Sequence, residues 1–297
     1  MSFLKFGIDI SKYQEGIDFD RLVREKVEFV ILRAAYHLSK DTEFENFYKN
    51  AKAKKLPVGA YLYTTADSPA DAAAEARFLA ENVLNGKQLE LPVYLDIENK
   101  NFYAKTKSQN VEIVRAFCEE MEKRNYFTGV YSSKNFFDNY VDDSKLKNYT
   151  HWVAQWSEQC DYQDKSVLGM WQFGGETNKI RSNKIAGYVC DQNYLYMDFS
   201  TVILKKGLNG FAPQGKEYNM GIMKKGDRGI GIYLLKQNIM LLNSAGVINS
   251  GVDDNDIFGE GTEKAVIQIQ KKAGIAADGI AGEKTARAIK KLFTEII

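Results

Sequence analysis

Two carboxylates, Asp96 and Glu98, stand two residues apart at the end of the apolar run 92–98. Side chains of a β-strand alternate between its faces, so both carboxylates lie on one face with their Cβ atoms roughly 6.6 Å apart. Acids held this close in a poorly solvated site have different pKa values, and one of them stays protonated. A protonated acid beside an ionised partner is what hydrolysis of a glycosidic bond requires.

Other interpretations of an isolated Asp-x-Glu pattern are a solvated strand end, a helix cap, and a carboxylate site for Mg²⁺ or Ca²⁺. Two further acids favour the catalytic interpretation: Asp9 lies in the first predicted strand and Asp191 in the eighth. The first and last strands of a closed barrel are neighbours, so we expect all four acids to line one mouth.

Aromatic and amide side chains follow the ends of the same predicted strands. Each of them alone is more often a core residue than a ligand contact. Gathered around carboxylates, they are typical of a sugar-binding cleft with stacking walls and polar contacts, and they favour a carbohydrate over a metal ion. The predicted substrate-binding residues are Tyr61, Tyr63, Tyr131, Trp152, Gln155, Trp171 and Gln172, with Trp156 beside them.

The composition excludes several classes of function. The 297 residues contain 40 Lys and Arg against 39 Asp and Glu, a net charge of +1, which argues against nucleic acid as the main partner. Two histidines and three cysteines without metal-like spacing disfavour a metal centre or a Ser-His triad, and we expect no metal or cofactor. We expect neither membrane insertion nor a signal peptide, because no apolar run and no cleavage motif of the required kind is present.

The strands that position these residues are predicted from eight β-rich apolar runs: 6–11, 29–36, 58–65, 92–98, 127–133, 151–156, 170–174 and 188–196. Helical patterns separate the early runs, which indicates parallel strands with crossover helices. After about residue 140 the connections carry no apolar helical stripe. The pattern therefore predicts an α/β fold, a TIM-like barrel that lacks its last helices.

The chain beyond the barrel reads as a second, smaller domain. A Lys-, Gly-, Asn- and Gln-rich stretch predicts a linker over 206–222, between a barrel at 1–205 and a helical module at 223–297. Helices are predicted at 232–242, 262–272 and 285–293, the last two after a repeated Gly-Glu phrase. Thr262 and Thr285 are the expected N-caps of these two helices.

Several motifs along the first 200 or so residues resemble glycoside hydrolase family 25, the lysozyme-type muramidases common among phage endolysins. They are Gly7-Ile-Asp-Ile-Ser-Lys-Tyr-Gln14, Val58-Gly-Ala-Tyr-Leu-Tyr63, Tyr94-Leu-Asp-Ile-Glu98, Trp152-Val-Ala154, Trp171-Gln172 and Asp191-Gln-Asn193. The resemblance implies an irregular (β/α)5(β)3 barrel. It also implies cleavage of the β-1,4 bond between N-acetylmuramic acid and N-acetylglucosamine in peptidoglycan.

Carried over by position, the resemblance assigns Glu98 as general acid/base. Asp96 and Asp191 become candidates for stabilising the cation or positioning the substrate, and Asp9 belongs to the acidic floor. Whether a carboxylate or the substrate's acetamido oxygen attacks the anomeric carbon stays open. The expected enzyme is an endolysin held in the host cytoplasm until lysis.

The C-terminal module resembles the three-helix peptidoglycan-binding domain through Lys225-Gly-Asp-Arg-Gly229, Phe258-Gly-Glu-Gly-Thr262 and Asp278-Gly-Ile-Ala-Gly-Glu-Lys-Thr285. Bacterial peptidoglycan is thus the expected partner of both domains. One alternative is a chitinase-like N-acetylglucosaminidase, whose pattern has a further Asp where this chain has Tyr94. The other is a non-catalytic cell-wall-binding protein, which the intact pair of acids disfavours.

Overall fold

The structure is a computed structural model that describes residues 4–211 and 222–294. The chain divides into two compact units, Met1–Gln214 and Gly215–Ile297. No helix within the described ranges is both long and apolar enough to cross a membrane.

Eight strands form the wall of a closed barrel in the first unit. They are β1 Lys5–Ile10, β2 Phe29–Tyr36, β3 Val58–Tyr63, β4 Val93–Ile97, β5 Thr128–Ser133, β6 Thr150–Ala154, β7 Leu168–Gly174 and β8 Asp191–Leu195. Strands β1 to β7 pair in parallel with their neighbours. Strand β8 closes the barrel by pairing antiparallel with both β7 and β1. All eight predicted strands are present.

Each of the first five strands is followed by a helix. These helices are α1 Phe19–Arg24, α2 Phe44–Ala53, α3 Pro69–Phe78, α4 Lys107–Glu122 and α5 Lys134–Asn139. The segments between β6, β7 and β8 contain no α-helix, and a small hairpin of Lys184–Ile185 with Tyr188–Val189 precedes β8. The architecture is thus the predicted (β/α)5(β)3 barrel.

Local sequence explains where the two best-defined helices begin. Ser68 caps α3 by accepting a hydrogen bond from the backbone of Asp71, and Pro69 occupies the first helical position. Thr106 caps α4 in the same way through Gln109. The apolar stripe of α4 is buried against the barrel, which is why its spacing was visible in the sequence.

The barrel has two apolar layers because side chains alternate along each strand. On β4, Val93, Leu95 and Ile97 belong to the layer between strands and helices. Tyr94 points into the barrel instead. The interior cluster contains Phe29, Ile31, Leu91, Tyr94, Tyr131, Trp152, Met170 and Leu195.

The end of the barrel opposite the mouth is closed by α6 Phe199–Lys206 and the turn after it. Asn209 in that turn is buried, and its amide nitrogen donates to the carbonyls of Leu89 and Leu91, at 3.1 and 2.8 Å. Its side-chain oxygen accepts from the backbone of Phe127 at 2.7 Å. Residues 206–211, predicted as the start of a linker, therefore belong to the barrel unit. Residues 212–221 of that predicted linker lie outside the described residues.

The second unit contains three helices, α7 Ile230–Ser244, α8 Glu260–Lys272 and α9 Glu283–Thr294, around a small apolar core of their own. Helices α8 and α9 begin two residues earlier than predicted. Thr262 and Thr285 consequently lie inside the first turn, and the predicted N-caps are wrong. Both are buried, and the Thr285 hydroxyl donates to the carbonyl of Ile280 at 3.1 Å.

Candidate active site

Four acids meet at the mouth formed by the carboxyl ends of the parallel strands. Asp9 and Asp96 are the second-last residues of β1 and β4, Glu98 directly follows β4, and Asp191 is the first residue of β8. Asp191 reaches this mouth because β8 runs antiparallel to β1, which pairs it directly with Asp9. The sequence-based grouping of the four acids at one mouth agrees with this geometry.

Asp9 is held in place by two amide groups. It is 6% exposed, and its Oδ2 accepts hydrogen bonds from Asn193 Nδ2 at 2.8 Å and Gln172 Nε2 at 3.1 Å. Burial raises the pKa of Asp9 to about 6, against the opposing effect of the two amides. Asp9 is therefore mostly ionised at neutral pH.

Asp96 and Asp191 are in less favourable surroundings for a charge. Asp96 is 3% exposed, and its Oδ1 has no hydrogen-bond partner among the described residues. Burial, and then the charges of Glu98 and Asp9, hold the pKa of Asp96 well above its usual range. Burial, and then the charge of Asp9, raise the pKa of Asp191 to about 8. Asp191 therefore retains its proton under conditions in which Asp9 is charged, and the surroundings of Asp96 also favour its neutral form.

Glu98 lies at the rim of the mouth, and the residue as a whole is exposed to solvent. Desolvation of its carboxyl group raises the pKa of Glu98, and a hydrogen bond from Tyr131 opposes this shift. The Tyr131 hydroxyl lies 3.0 Å from Glu98 Oε1. A raised pKa brings a glutamic acid toward the range in which a general acid works near neutral pH.

Gln172 connects the acids to the aromatic wall. It is buried, and its Oε1 accepts a hydrogen bond from Trp156 Nε1 at 3.0 Å. The Tyr131 hydroxyl lies 3.0 Å from the same Oε1. Gln172 thus contacts both Asp9 and the group that binds Glu98.

Two of the predicted tyrosines line the mouth from β3. Tyr61 and Tyr63 are half-buried on the same face of the strand. Burial, and then the charges of Asp9 and Asp96, hold the pKa of Tyr61 well above its usual range. The ring of Tyr63 stacks on Tyr36, with centroids 4.9 Å apart and planes 13° apart. Tyr36 is exposed, and the sequence analysis missed it.

Three predicted substrate-binding residues lie elsewhere. Trp152 is 1% exposed inside the barrel, where its Nε1 donates to Asn193 Oδ1 at 2.8 Å. Trp171 faces the outer layer and donates to the Gln155 carbonyl, because it alternates with Gln172 along β7. The Gln155 side chain binds the loop residue Asp161. The sequence indicated where these strands end. It did not indicate how deep in the barrel each of these three side chains lies, or whether it faces the interior or the helices.

Trp156, which the sequence analysis named beside the predicted contacts, and Gly175, which it did not name, form another part of the mouth. Trp156 is 39% exposed. A Cβ at Gly175 would come within 2.7 Å of the Trp156 ring and would overlap Asp191 Oδ1. The absence of a side chain at Gly175 therefore lets the indole and the carboxyl group of Asp191 lie side by side. The Gly-Gly pair formed by the last residue of β7, Gly174, and the next residue, Gly175, was the available sequence signal.

Comparison with known proteins decides between the families considered. The sequence model of Glycosyl hydrolases family 25 matches residues 8–181. The chain belongs to this family. A second model, described as a putative peptidoglycan binding domain, matches residues 240–289.

One curated relative of this family 25 enzyme is the autolytic lysozyme of Clostridium acetobutylicum. It is 26% identical over 291 residues, which cover 97% of this chain and 79% of the relative. The enzyme is thus a glycoside hydrolase of the muramidase type that acts on the cell wall. The chitinase-like alternative is wrong, and so is the non-catalytic one.

Solved structures share the fold of the barrel. The bacterial lysozyme from Streptomyces coelicolor superposes with a TM-score of 0.58 at 21% identity, covering 70% of this chain and 98% of that one. The modular autolysin LytC from Streptococcus pneumoniae, in complex with a synthetic peptidoglycan ligand, gives a TM-score of 0.58 at 24% identity. That match covers 65% of this chain and 47% of the autolysin, so this chain spans about half of its length.

Proposed function

We propose that this enzyme hydrolyses the β-1,4 bond between N-acetylmuramic acid and N-acetylglucosamine in peptidoglycan, with Glu98 as general acid and then general base. The observation that supports this most directly is the side-by-side position of Asp96 and Glu98 at the mouth, with raised pKa values. Family 25 membership supplies the reaction class.

In the first step, the protonated Glu98 donates its proton to the glycosidic oxygen. The bond between that oxygen and the anomeric carbon breaks, and the electron pair leaves with the oxygen as an alcohol. The ionised Asp9, fixed by its two amides, supplies negative charge toward the cationic centre. The positive charge that develops at the anomeric carbon lowers the pKa of Asp96 and Asp191, so these two acids release their protons to solvent and add negative charge.

In the second step, Glu98 is ionised and removes a proton from water, whose oxygen bonds to the anomeric carbon. The bond from that carbon to the first nucleophile breaks at the same time, and its electron pair returns to the oxygen of that nucleophile. This returns the proton to Glu98 and restores the starting state. Between the two steps the anomeric carbon is covalently bonded to a carboxylate of the mouth or to the acetamido oxygen of the substrate. Both nucleophiles give the same sequence of protonation states at Glu98.

We assign substrate contacts to the residues that surround the acids at the mouth: Tyr61, Tyr63, Tyr36, Tyr131, Gln172 and Trp156. A flat indole or phenol ring packs on the apolar face of a sugar, and Gln172 supplies hydrogen bonding. The C-terminal unit would hold the enzyme on the wall, which raises the concentration of the barrel near the insoluble polymer. Storage in the host cytoplasm until lysis stays a prediction.

The proposal is tested by digesting purified peptidoglycan with the whole chain and with Glu98→Gln, whose side chain has nearly the same size. We expect loss of turbidity with the wild type and a decrease of at least 10³-fold in the variant. Mass spectrometry of the released fragments should show N-acetylmuramic acid at the new reducing ends and no new free amines. New amines would indicate amidase or peptidase action, and an active Glu98→Gln enzyme would refute the assignment of the acid.

A further inference from the structure

The Tyr131 hydroxyl lies between two oxygen atoms at equal distance. Glu98 Oε1 and Gln172 Oε1 are each 3.0 Å from it. A hydroxyl group carries one hydrogen, so it donates to only one of the two at a time. Tyr131 is buried, and burial holds its pKa well above the usual range, so this hydrogen stays on the phenol.

The orientation of the Gln172 amide is fixed by its other partners. The indole nitrogen of Trp156 is only a donor, so the atom 3.0 Å from it must be the amide oxygen. The amide nitrogen then points at the carboxylate of Asp9, which accepts. Gln172 Oε1 is therefore an acceptor in every state of the site, and it cannot donate to Tyr131.

Glu98 differs from Gln172 because its role changes with protonation. An ionised Glu98 only accepts, whereas a protonated Glu98 can donate to the phenol oxygen. When Glu98 is ionised, the Tyr131 hydroxyl donates to it. When Glu98 is protonated and no substrate is bound, the carboxylic acid donates to Tyr131, and the Tyr131 hydroxyl turns to Gln172. In the first step of the reaction the same hydrogen passes from Glu98 to the glycosidic oxygen.

We propose that Tyr131 is a positioning residue whose hydroxyl switches between Gln172 and Glu98 as Glu98 changes from acid to base. The proposal rests on the acid/base function proposed for Glu98. Its consequence is that the hydrogen bonds of Glu98 are satisfied in both protonation states, so neither half of the reaction leaves a polar group at the mouth without a partner.

Other titratable groups also face Glu98: Asp9, Asp96, Asp191 and Tyr63. In addition to burial, the charge of Glu98 contributes to the raised pKa of each of these groups, and none of them donates a hydrogen bond to it within the described residues. Tyr131 is thus the group through which a change at Gln172 reaches Glu98 directly.

Two substitutions should move the basic limb of the pH profile of kcat/KM in opposite directions, because this limb reports the pKa of the general acid. Tyr131→Phe removes the hydrogen bond that the hydroxyl donates to ionised Glu98, which is stronger than the bond with the protonated acid. The pKa of Glu98 should therefore rise, and the limb should move up by about 0.5–1 pH unit. Gln172→Met removes the alternative acceptor and leaves the hydroxyl donating to Glu98. The limb should then move down by a similar amount.

Asn193→Ala is the matched control for the effect of Gln172 on Asp9, since Asn193 also donates to Asp9 but does not contact Tyr131. If Asn193→Ala reproduces the shift of Gln172→Met, the effect passes through the charge of Asp9 and the switch is refuted. Shifts in the same direction for Tyr131→Phe and Gln172→Met also refute it.

Because either variant can lose activity, the pKa of Glu98 should also be followed by ¹³C NMR of the carboxyl carbon, assigned by its absence in Glu98→Gln. The same opposite shifts are expected in this titration without substrate. If Glu98→Gln retains activity, the proposed function fails and the switch fails with it. If Glu98→Gln is inactive but neither titration moves, only the switch is overturned.

Discussion

Asp9 on β1 and Asp191 on β8 are direct partners across the antiparallel pair that closes the barrel. Two carboxyl groups in this arrangement repel each other when both are ionised. Protonation of Asp191 relieves the repulsion: burial, and then the charge of Asp9, raise the pKa of Asp191 to about 8. Burial, and then the charge of Glu98, raise the pKa of Asp9 to about 6. The closure of the barrel thus concentrates acids in the mouth at a cost in stability.

This arrangement predicts that the barrel becomes less stable as the pH rises from 5 to 9. The pKa values of Asp9 and Asp191 are raised above the unfolded value of about 3.9, so their stabilising contribution is complete below about pH 4 and is lost as the pH passes the folded values. Asp191→Asn should remove the part of this decline that extends from about pH 4 up to about pH 8, on the order of 2 kcal/mol. Denaturant unfolding followed by tryptophan fluorescence measures it, because all three tryptophans lie in the barrel.

A suitable control is Asp164→Asn. Hydrogen bonds from Ser166 and Lys147 lower the pKa of Asp164 to about 2, so its contribution changes only below pH 4. The decline between pH 5 and 9 should be the same in this variant as in the wild type. An equal loss of slope in Asp164→Asn and Asp191→Asn would contradict the assignment.

Asp96→Asn should lower the activity of the enzyme without lowering its stability. Burial, and then the charges of Glu98 and Asp9, raise the pKa of Asp96 well above its usual range, which favours the neutral form that the amide resembles. The stability of the variant relative to wild type should therefore increase from pH 5 to pH 9. Release of glycan fragments should fall roughly 10²–10³-fold, because the negative charge of Asp96 is needed only in the transition state. A variant that loses activity and stability together at every pH would point to a structural role.

Trp156 should matter for substrate binding and Trp152 for folding. Trp156 is the more exposed of the two, and Trp156→Ala should raise KM roughly tenfold while changing the free energy of unfolding by less than about 0.5 kcal/mol. Trp156→Phe loses the hydrogen-bond donor to Gln172 but keeps an aromatic ring. Because the ring makes the contact with the sugar, this variant should recover most of the substrate binding. Trp152→Ala leaves a cavity in the barrel and should cost about 3–5 kcal/mol. The contrary result, an unstable Trp156→Ala, would place that indole in the core.

Asn209 should stabilise the closed end of the barrel despite its position in a stretch that reads as a linker. Its side chain makes three hydrogen bonds, and its φ of 54° is left-handed. Asn209→Ala should lower the free energy of unfolding by about 2–4 kcal/mol, and Asn209→Gly should recover only the backbone part. Lys206→Ala is the control in the same stretch: it is exposed at the end of α6 and should change stability by less than about 0.5 kcal/mol. Equal effects at the two positions would refute this role.

The sequence by itself determined the order and type of the barrel strands. Apolar runs such as the one around Asp96 arise because a barrel strand is covered on both of its faces. This pattern can be recognised in the sequence without any knowledge of long-range contacts. The absence of α-helices between β6 and β8 was equally visible, because an unpatterned connection cannot bury an apolar face. The pairing of Asp96 and Glu98 on one face followed from the same two-residue period.

Tertiary structure alone decided which of the aromatic residues reach the mouth. Trp152, Trp156 and Trp171 all occur close to strand ends, but only Trp156 is presented there, because depth in the barrel and the face of the strand depend on the pairing register. The direction of β8 was also decided at this level, and it brings Asp191 beside Asp9. Charges and hydrogen bonds between distant parts of the chain, such as those joining Asp9 to Gln172, exist only once the barrel has closed, since strand pairing brings them within bonding distance.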